Sequence, residues 1–393
     1  MTMYFRPALV SSVALLLVIQ NGPASAQATP SGIGDLQGLN VPQSAARGSI
    51  LSACPTLFAN FNTLNQPQRD LTNICTAMLQ NTAGGSIAQG PGPGFQLGDA
   101  QLTQALQTLA HEETAAQGRG SGESPGGVSG AIRSRLFALR GAASTRLSGF
   151  QFNGKNVALA ETLRNGRGGG AAAEPSGRLG AFVNAAYHTG DREATSREDE
   201  FDFDNIGLIA GADYRFRADL IGGAALNYSQ TDVDIETAPG GDVETDTYGA
   251  SLYGTYYRGP FYVDAHANYS RSEYDIERRI LIPSNNPGFP AVTRTAKGDP
   301  DADQFTLGLG AGYNVPLGAL TLTPYGRLEY LYVDIDGYTE KGAVGLDLKV
   351  DSESVTSLQS AFGAQLAYAI STPRGIFSPQ VYAEWNHEFK NGS

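Results

Sequence analysis

From Arg178 onward, side chains alternate between apolar and polar with a period of two residues. Successive side chains of a β-strand point to opposite faces, so this period predicts strands. In one segment, Phe261 and Val263 oppose Tyr262 and Asp264. The alternation recurs in nine segments, at 178–188, 204–216, 219–232, 244–257, 260–276, 302–314, 319–334, 353–369 and 375–389.

A soluble β-sandwich also alternates, but three features favour a membrane barrel. The segments are about 11–17 residues long, whereas strands of globular proteins cluster near 5–6. Tight turns such as 257–260 alternate with long polar loops such as 277–301, as in barrels with short periplasmic turns and long external loops. Aromatic residues fall near segment ends on the apolar face, where interfacial rings belong. The sequence therefore predicts a mainly β protein, an antiparallel up-and-down transmembrane β-barrel preceded by a small α-helical segment.

The N-terminus predicts export. Arg6 precedes the short apolar run Val13–Ile19, and Ala24–Ala26 provides small residues for cleavage. The apolar run is too short for a membrane anchor, which needs about 20 residues. We therefore expect residues 1–26 to be a signal peptide and the mature chain to begin at Gln27.

The remaining sequence before the barrel is divided by composition. Gly, Ser, Gln and Pro predict a flexible start, and helical periodicity broken at Asn65–Pro67 predicts a helical hairpin. Gly- and Pro-rich stretches separate two further predicted helices. The predicted organisation is a signal peptide, a flexible mature N-terminus, a helical hairpin, a linker with two helices and an incomplete barrel, at residues 1–26, 27–49, 50–80, 81–177 (helices 99–117 and 130–147) and 178–393.

The two cysteines of the chain, Cys54 and Cys75, both lie in the predicted hairpin. Two thiols close together in an exported chain favour a disulfide. A metal site would need His or further Cys nearby, and the hairpin has neither. On the chain-entropy model such a crosslink stabilises the hairpin by about 3 kcal/mol.

Charge and motifs argue against nucleic-acid binding and catalysis. The chain has 27 basic and 39 acidic side chains, a net charge of −12, whereas nucleic-acid binding favours a basic face. The stretch Gly149–Asn156 resembles a phosphate-binding loop, but Asn156 stands where Ser or Thr must hold magnesium. We therefore expect no catalytic residue, no cofactor and no metal.

Two pairs of segments carry a family resemblance. Residues 207–216 with 222–229, and residues 248–256 with 261–265, are similar to successive hairpins of autotransporter translocator barrels. The resemblance covers about 178–389. It implies a Gram-negative outer-membrane protein of type V secretion, a twelve-stranded barrel and a helix threading the lumen. The implied partners are outer-membrane lipid, the barrel-assembly machinery and the chain's own N-terminal segment in the lumen.

This sequence departs from the family pattern at its C-terminus. Nine segments are present where the family has twelve, and the chain ends at Ser393 without the terminal aromatic of family members. We therefore expect a C-terminally truncated barrel. Its closure and its recognition by the assembly machinery would be impaired, because an open edge in lipid leaves backbone groups unpaired.

Charged side chains on the inward rows suggest how the lumen is filled. The predicted helix at 130–147 carries Arg133, Arg135 and Arg140. We predict that this helix, or the chain just after it, lies against the lumen wall as a plug; the alternative is a surface helix with solvated arginines. The residues predicted to face the lumen are Asp213, Asp264, His266, Arg327, Glu329 and Glu384.

The leading interpretation is a non-enzymatic outer-membrane translocator that exports or anchors a small helical N-terminal segment. One alternative is a passive structural or adhesion protein whose N-terminal segment never crosses the membrane. The other is a barrel-rim protease, which would need an Asp–His pair at the outer rim. His188 with Asp191 is the nearest such pair in the sequence.

Overall fold

The computed structural model describes residues 33–80, 94–110, 127–140, 150–152, 155–157, 178–195, 200–235, 239–368, 370–372, 375–377 and 379–392. The predicted signal peptide lies outside these residues. Among the helices in these ranges, none has the length and apolar character to span a bilayer. The α-helices are α1 (Val41–Ala59), α2 (Gln66–Leu79), α3 (Asp99–Leu109) and α4 (Val128–Arg140).

Strands make up most of the rest of the described chain. The long strands are β3 (Leu179–Arg192), β4 (Phe201–Arg217), β5 (Leu220–Ile235), β6 (Gly241–Arg258), β7 (Phe261–Ile282), β9 (Asp301–Tyr313), β11 (Leu320–Ile335), β14 (Glu353–Tyr368) and β17 (Gln380–Gly392). The short strands are β1 (Phe150–Phe152), β2 (Lys155–Val157), β8 (Val292–Gly298), β10 (Val315–Leu317), β12 (Tyr338–Thr339), β13 (Lys349–Val350), β15 (Ile370–Thr372) and β16 (Gly375–Phe377).

The nine long strands form one antiparallel sheet in the order β3-β4-β5-β6-β7-β9-β11-β14-β17, which curls into a half-barrel. Each long strand pairs with the long strand before it, as an up-and-down arrangement requires. The predicted fold class is confirmed. Within the described strands, β3 and β17 do not pair with each other.

The connections define the two ends of the sheet. Strands β4–β5, β6–β7 and β9–β11 are joined at one end, the first two by turns of only two residues. At the opposite end, which we call the outer end, the connections include 193–200, 283–300 and 336–352. The predicted alternation of tight turns and long loops is therefore present. Short turns of outer-membrane barrels are periplasmic and long loops extracellular.

The long strands extend further toward the outer end than the sequence predicted. Strand β7 continues to Ile282 and pairs with β8, so much of the predicted loop 277–301 is a hairpin. The charged run at 277–279 interrupted the predicted alternation, but Ile280 and Ile282 are fully buried beyond it. Near the other end, β15 and β16 form a separate two-stranded sheet, and β17 begins at Gln380 rather than at 375.

The convex face of the half-barrel exposes apolar side chains. Leu226, Leu252 and Trp385 are 70%, 67% and 61% exposed. Such a surface belongs in lipid, because soluble monomers rarely expose large apolar patches. Toward the outer end, three tyrosines of this face donate their phenolic hydroxyls to aspartates on adjacent strands, as side chains do at an interface between lipid and water. These bonds are Tyr187–Asp204 (2.7 Å), Tyr228–Asp246 (2.6 Å) and Tyr269–Asp303 (2.6 Å).

Helices α1 and α2 each begin after an asparagine that caps the helix. Asn40 forms a capping box with Gln43, and Asn65 forms one with Gln68, each with a proline in the first helical turn. The prediction of a flexible segment over 27–49 is therefore wrong from Val41 onward, since the Asn40 box starts α1 before residue 50.

The two other helices also differ from their predicted bounds. Helix α3 ends at Leu109 rather than at 117, and α4 begins at Val128 rather than at 130. The end of each predicted helix, at 111–117 and 141–147, lies outside the described residues. Residues 150–152 and 155–157 of the predicted linker form β1 and β2.

Candidate functional site

Helix α4 lies on the concave face of the half-barrel. Ile132 and Leu136 are completely buried, and they form an apolar cluster with side chains from β3, β4, β5 and β6. Burying an aliphatic side chain of this size stabilises the folded state by about 1.5–3 kcal/mol. The cluster members contributed by the strands are Phe182, Ile209, Ala225 and Tyr253.

The most deeply buried ion pair of α4 joins Arg135 to Asp213. An Arg135 guanidinium nitrogen lies 2.7 Å from the Asp213 carboxylate, and both side chains are only 5% exposed. The Arg135 Nε also donates to this carboxylate at 2.8 Å. The contact requires a glycine beside it, because a Cβ at Gly180 would overlap the Asp213 carboxylate.

The two other arginines of α4 also meet acidic side chains of the wall. Arg133 donates to Glu329 of β11 at 2.7 Å. Arg140 pairs with Asp264 of β7 and stacks over the Tyr262 ring, whose centroid is 3.7 Å away. The structure thus brings all three arginines of the predicted plug helix against three different strands.

The remaining residues predicted to face the lumen also lie on the concave face. Glu384 pairs with Arg327 at 2.5 Å and accepts from the Tyr325 hydroxyl at 2.7 Å. Its partners therefore belong to β11, two strands away in the sheet, rather than to α4. The His266 imidazole lies 3.2 Å from the Ser129 hydroxyl at the start of α4, and a Cβ at Gly308 would overlap the imidazole.

The predicted rim pair of His188 and Asp191 does not form. His188 is buried on the concave face of β3, whereas Asp191 belongs to the exposed convex row. Residues three apart in a strand point to opposite faces, so the two side chains cannot meet. The basis for a protease at this position is wrong.

A cavity of ≈180 Å³ lies between the first turn of α4 and the strands. Its lining includes amide and hydroxyl side chains from β3 to β9. The only charged pair in the lining is Arg133 with Glu329. We call this cavity the polar chamber.

The described residues of 33–110, which we call the helical head, lie at the outer end of the sheet. Phe95, Leu102 and Leu106 of the head are completely buried in one cluster with Ile280 and Ile282 of β7. The cluster also takes Ala343 and Leu346 from the loop at 336–352. The head and the outer loops therefore share one hydrophobic core.

A buried ion pair lies at this junction. Arg278 of β7 and Glu340 of the outer loop are 2.6 Å apart, with side chains 2% and 1% exposed. Arg278 also donates to the Thr108 carbonyl of α3 at 3.2 Å and to the Leu346 carbonyl at 2.9 Å. One guanidinium thus joins the strand, the loop and the head.

Further polar contacts cover the rest of the junction. Asn285 donates to the Gln96 carbonyl at 3.0 Å, and Asn286 to the Gly94 carbonyl at 3.0 Å. Arg294 of β8 pairs with Asp70 of α2. Since these contacts reach both α2 and the segment before α3, the head is attached at several points rather than at one.

The predicted disulfide joins the two arms of the head. Cys54 of α1 and Cys75 of α2 are linked, with 5.7 Å between their Cα atoms. Both residues are buried. The crosslink therefore fixes the α1–α2 hairpin, on which the docking surface of the head depends.

The residues that attach the head were not predicted from the sequence. Arg278 was part of a charged run that resembled a solvated loop. A signal was nevertheless present, because Arg278 occupies the same row as Ile276, Ile280 and Ile282, all of which are buried. An arginine in an otherwise apolar row requires a buried partner.

The outer ends of the strands carry many acidic residues. Burial raises the pKa of the Asp242 carboxyl, and the neighbouring Arg279 opposes this rise. Acidic neighbours, Asp234 first, raise the pKa further. Among the described residues, no group of three or more His, Cys, Asp or Glu side chains is arranged to hold a metal ion.

The barrel part of the sequence matches a known protein family and several known proteins. The family model for the autotransporter beta-domain matches residues 181–393. Outer membrane protein A of Rickettsia conorii is 26% identical over 223 residues, which cover 54% of this chain and 11% of that protein. Esterase EstA of Pseudomonas aeruginosa is 24% identical over 216 residues, covering 54% of this chain and 31% of that protein. The matched part is therefore a third or less of each relative.

Solved structures give similar matches. The translocator domain of autotransporter NalP from Neisseria meningitidis has a TM-score of 0.44 and 18% identity, over 55% of this chain and 70% of that one. The beta domain of the Bordetella autotransporter BrkA has a TM-score of 0.37 and 19% identity, over 54% of this chain and 80% of that one.

Proposed function

The chain belongs to the autotransporter beta-domain family, and from this premise we propose that it exports its own helical head and keeps it docked on the cell surface. The family assigns the half-barrel to the outer membrane and to a translocator role. The proposal adds what is transported and where it remains. The cargo is the N-terminal part of the same chain.

The main support is the position of the helical head at the outer end of the sheet. Its core includes Ile280 and Ile282, which lie at the long-loop ends of the strands. Long loops of outer-membrane barrels are extracellular. Helix α4 follows the head in the sequence and lies within the concavity. If the N-terminal segment has been exported through the outer membrane, the head should lie outside the cell and the helix that follows it, α4, should lie inside the barrel.

Retention rather than release is supported by the junction. Separating the head would expose a large apolar cluster to water and would leave the buried Arg278 without the Thr108 carbonyl. Leaving buried polar groups unsatisfied costs about 1–3 kcal/mol each. The docked state is therefore the stable one.

We also propose that the chain is not an enzyme. The similarity to the esterase covers 31% of that protein, and the family match of this chain is to a translocator domain. His188, the histidine nearest to a catalytic arrangement in sequence, faces away from its presumed acid. Neither a nucleic acid nor a cofactor is part of the proposal.

Protease treatment of intact cells tests export and retention together. An epitope inserted at Asn62, an exposed position between α1 and α2, marks the head. We expect the epitope to remain with the cells and to be removed by protease added to intact cells. A periplasmic protein must survive the same treatment. An epitope that is protected until the outer membrane is opened would overturn export, and an epitope recovered from the medium would overturn retention.

Substitution at the junction gives a matched comparison. Arg278→Met together with Glu340→Leu removes the buried charges but keeps their apolar volume. We expect the head to be digested faster in this variant, because the hydrogen bond from Arg278 to the Thr108 carbonyl of α3 is lost. Arg217→Met, at an exposed ion pair beside a short turn, serves as the control and should leave the digestion rate unchanged.

A further inference from the structure

The inner row of β7 shows what fills the concavity at each level. Strand β7 is the middle one of the nine long strands, so this row lines the deepest part of the half-barrel. Its side chains from His266 to Ile282 are at most 6% exposed. Read outward, the row consists of His266 beside α4, Asn268 and Ser270 in the polar chamber, Tyr274 and Ile276 in an apolar layer, Arg278 in its ion pair, and Ile280 and Ile282 under the helical head. The inner row of a water-filled channel would be exposed. The concavity is therefore closed along this line on both sides of the chamber.

The apolar layer lies directly outward of the polar chamber. Val233, Val243 and Ile276 are paired in register across β5, β6 and β7. The layer continues onto β9 and β11, and we call it the apolar collar. Its buried members are Val233, Val243, Tyr274, Ile276, Ala302, Val333 and Ile335. Ions and polar solutes cross an apolar constriction poorly, because water does not wet it.

The wall of the half-barrel continues outward beyond the apolar collar. Strand β8 pairs with the outer end of β7, and Lys341 of the loop at 336–352 exchanges two backbone hydrogen bonds of 2.9 Å with Lys297 of β8. The Tyr338 ring of the same loop lies on Gly298, where a Cβ would overlap it, and packs against the collar. The outer end of β7, β8 and this loop thus form one extension of the wall.

The helical head covers the inner face of this extension. Ile280 and Ile282 belong to the inner row of β7, and Ala296 of β8 shares that face because it is paired with Arg278. All three are completely buried in the cluster that includes Leu106 of the head. A head docked on the convex side would leave them exposed. The Arg278–Glu340 pair fills the level between the head and the collar, so the head lies over the mouth of the concavity.

We propose that the helical head is a lid. In the docked state the head and the apolar collar together close the outer mouth of the concavity, so that ions and small polar solutes do not reach the polar chamber. Undocking of the head uncovers the inner face of the wall extension and opens the path. The inference gives the head a task at the half-barrel, and it is independent of how the head reached its position.

Thiol reactivity of the full chain in lipid nanodiscs tests the lid. Ser229→Cys places a thiol in the polar chamber, while the two native cysteines are joined in their disulfide. The probe is the cationic reagent 2-(trimethylammonium)ethyl methanethiosulfonate, whose fixed charge keeps it out of lipid and out of the collar. We expect Ser229→Cys to react much more slowly than Ser52→Cys on the exposed surface of α1. Adding Leu106→Asp should speed the chamber reaction at least about tenfold, because the rate follows the population of the undocked state and the burial of one leucine contributes at least that factor.

Leu51→Asp, at an exposed position of α1, is the matched control and should leave the chamber reaction unchanged. Phe95→Asp is a second way to undock the head, since Phe95 is completely buried in the same cluster as Leu106. Circular dichroism establishes that the strands are retained, and limited proteolysis shows whether the head is released. The lid is overturned if the parent Ser229→Cys reacts as fast as Ser52→Cys, or if release of the head leaves the chamber reaction unchanged. A head that stays protease-resistant in both variants would overturn the docking on which the lid depends.

Discussion

Each arginine of α4 has an acidic partner, but the three pairs differ in burial, and burial decides what each contributes. Arg135 and Asp213 are both 5% exposed, whereas Arg133 and Glu329 are 34% and 28% exposed. Solvent screens the Arg133–Glu329 pair, and exposed ion pairs contribute about 0–1 kcal/mol to the free energy of unfolding. A buried charge that loses its partner is much more costly. The sequence predicted which residues face inward, because strand parity is local. It did not predict which partners meet.

Arg135→Leu should lower the free energy of unfolding by about 3–5 kcal/mol, because Asp213 would remain buried without a counter-charge. The double variant Arg135→Leu/Asp213→Leu should recover most of that loss. Urea unfolding in lipid vesicles measures both. Arg133→Leu is the matched control, with an expected loss of under about 1 kcal/mol. Equal losses for Arg133→Leu and Arg135→Leu would contradict the assignment of the buried pair.

Asp242, near the outer end of β6, should make the stability of the folded chain depend on pH. Burial raises the pKa of its carboxyl above that of the unfolded chain. The folded state therefore loses stability as pH rises through the unfolded and then the folded pKa, since the unfolded chain ionises more readily. Asp242→Asn removes this loss, so we expect a higher unfolding temperature than the parent at pH 7 and little difference at pH 3. The same difference at both values would disprove the assignment.

At the scale of elements, the strands were predictable and their extensions were not. Alternation with period two located all nine long strands, because each strand face has a uniform environment. The outer end of β7, residues 277–282, escaped the prediction, since its inner row is buried by the helical head rather than by the sheet. Helix α1 began earlier than predicted because a capping box at Asn40 outweighs the weak apolar pattern that follows.

The attachment of the head depends on close approach at one glycine. Gly345 has a φ of +84°, and a Cβ there would overlap the Pro67 carbonyl of α2. We expect Gly345→Ala to loosen the head, measured as faster amide hydrogen exchange across α2 and α3. Gly48→Ala, in α1 with no neighbouring atom near the added Cβ, should slow exchange in α1, since alanine is favoured over glycine in helices by about 1 kcal/mol. Unchanged exchange in Gly345→Ala would count against the docking geometry.

The disulfide should stabilise the head and not the half-barrel. Replacing Cys54 and Cys75 by serine removes a crosslink between residues 21 apart in sequence. The chain-entropy model expects a loss of about 3 kcal/mol. Hydrogen exchange should accelerate in α1 and α2 while the long strands keep their protection. Acceleration throughout β4, β5 and β6 would show instead that the head and the sheet unfold as one unit.

At the scale of the whole molecule, the chain forms two contacts with its own half-barrel. The helical head docks on the outer loops through an apolar core and the Arg278–Glu340 pair, and α4 fills the concavity through ion pairs. The first contact was not predictable from the sequence, because head and loops are more than 150 residues apart and neither shows a motif. Together the contacts make the N-terminal segment a fixed part of the assembled protein.

Labelling of intact cells with a membrane-impermeant maleimide tests the position of the head most directly. Single added cysteines at Ser52, on the exposed surface of α1, and at Ala218, in a short turn, mark the two ends of the molecule. We predict that the cysteine at 52 reacts in intact cells and that the cysteine at 218 reacts only after the outer membrane is permeabilised. Labelling of position 218 in intact cells, with position 52 protected, would contradict the account.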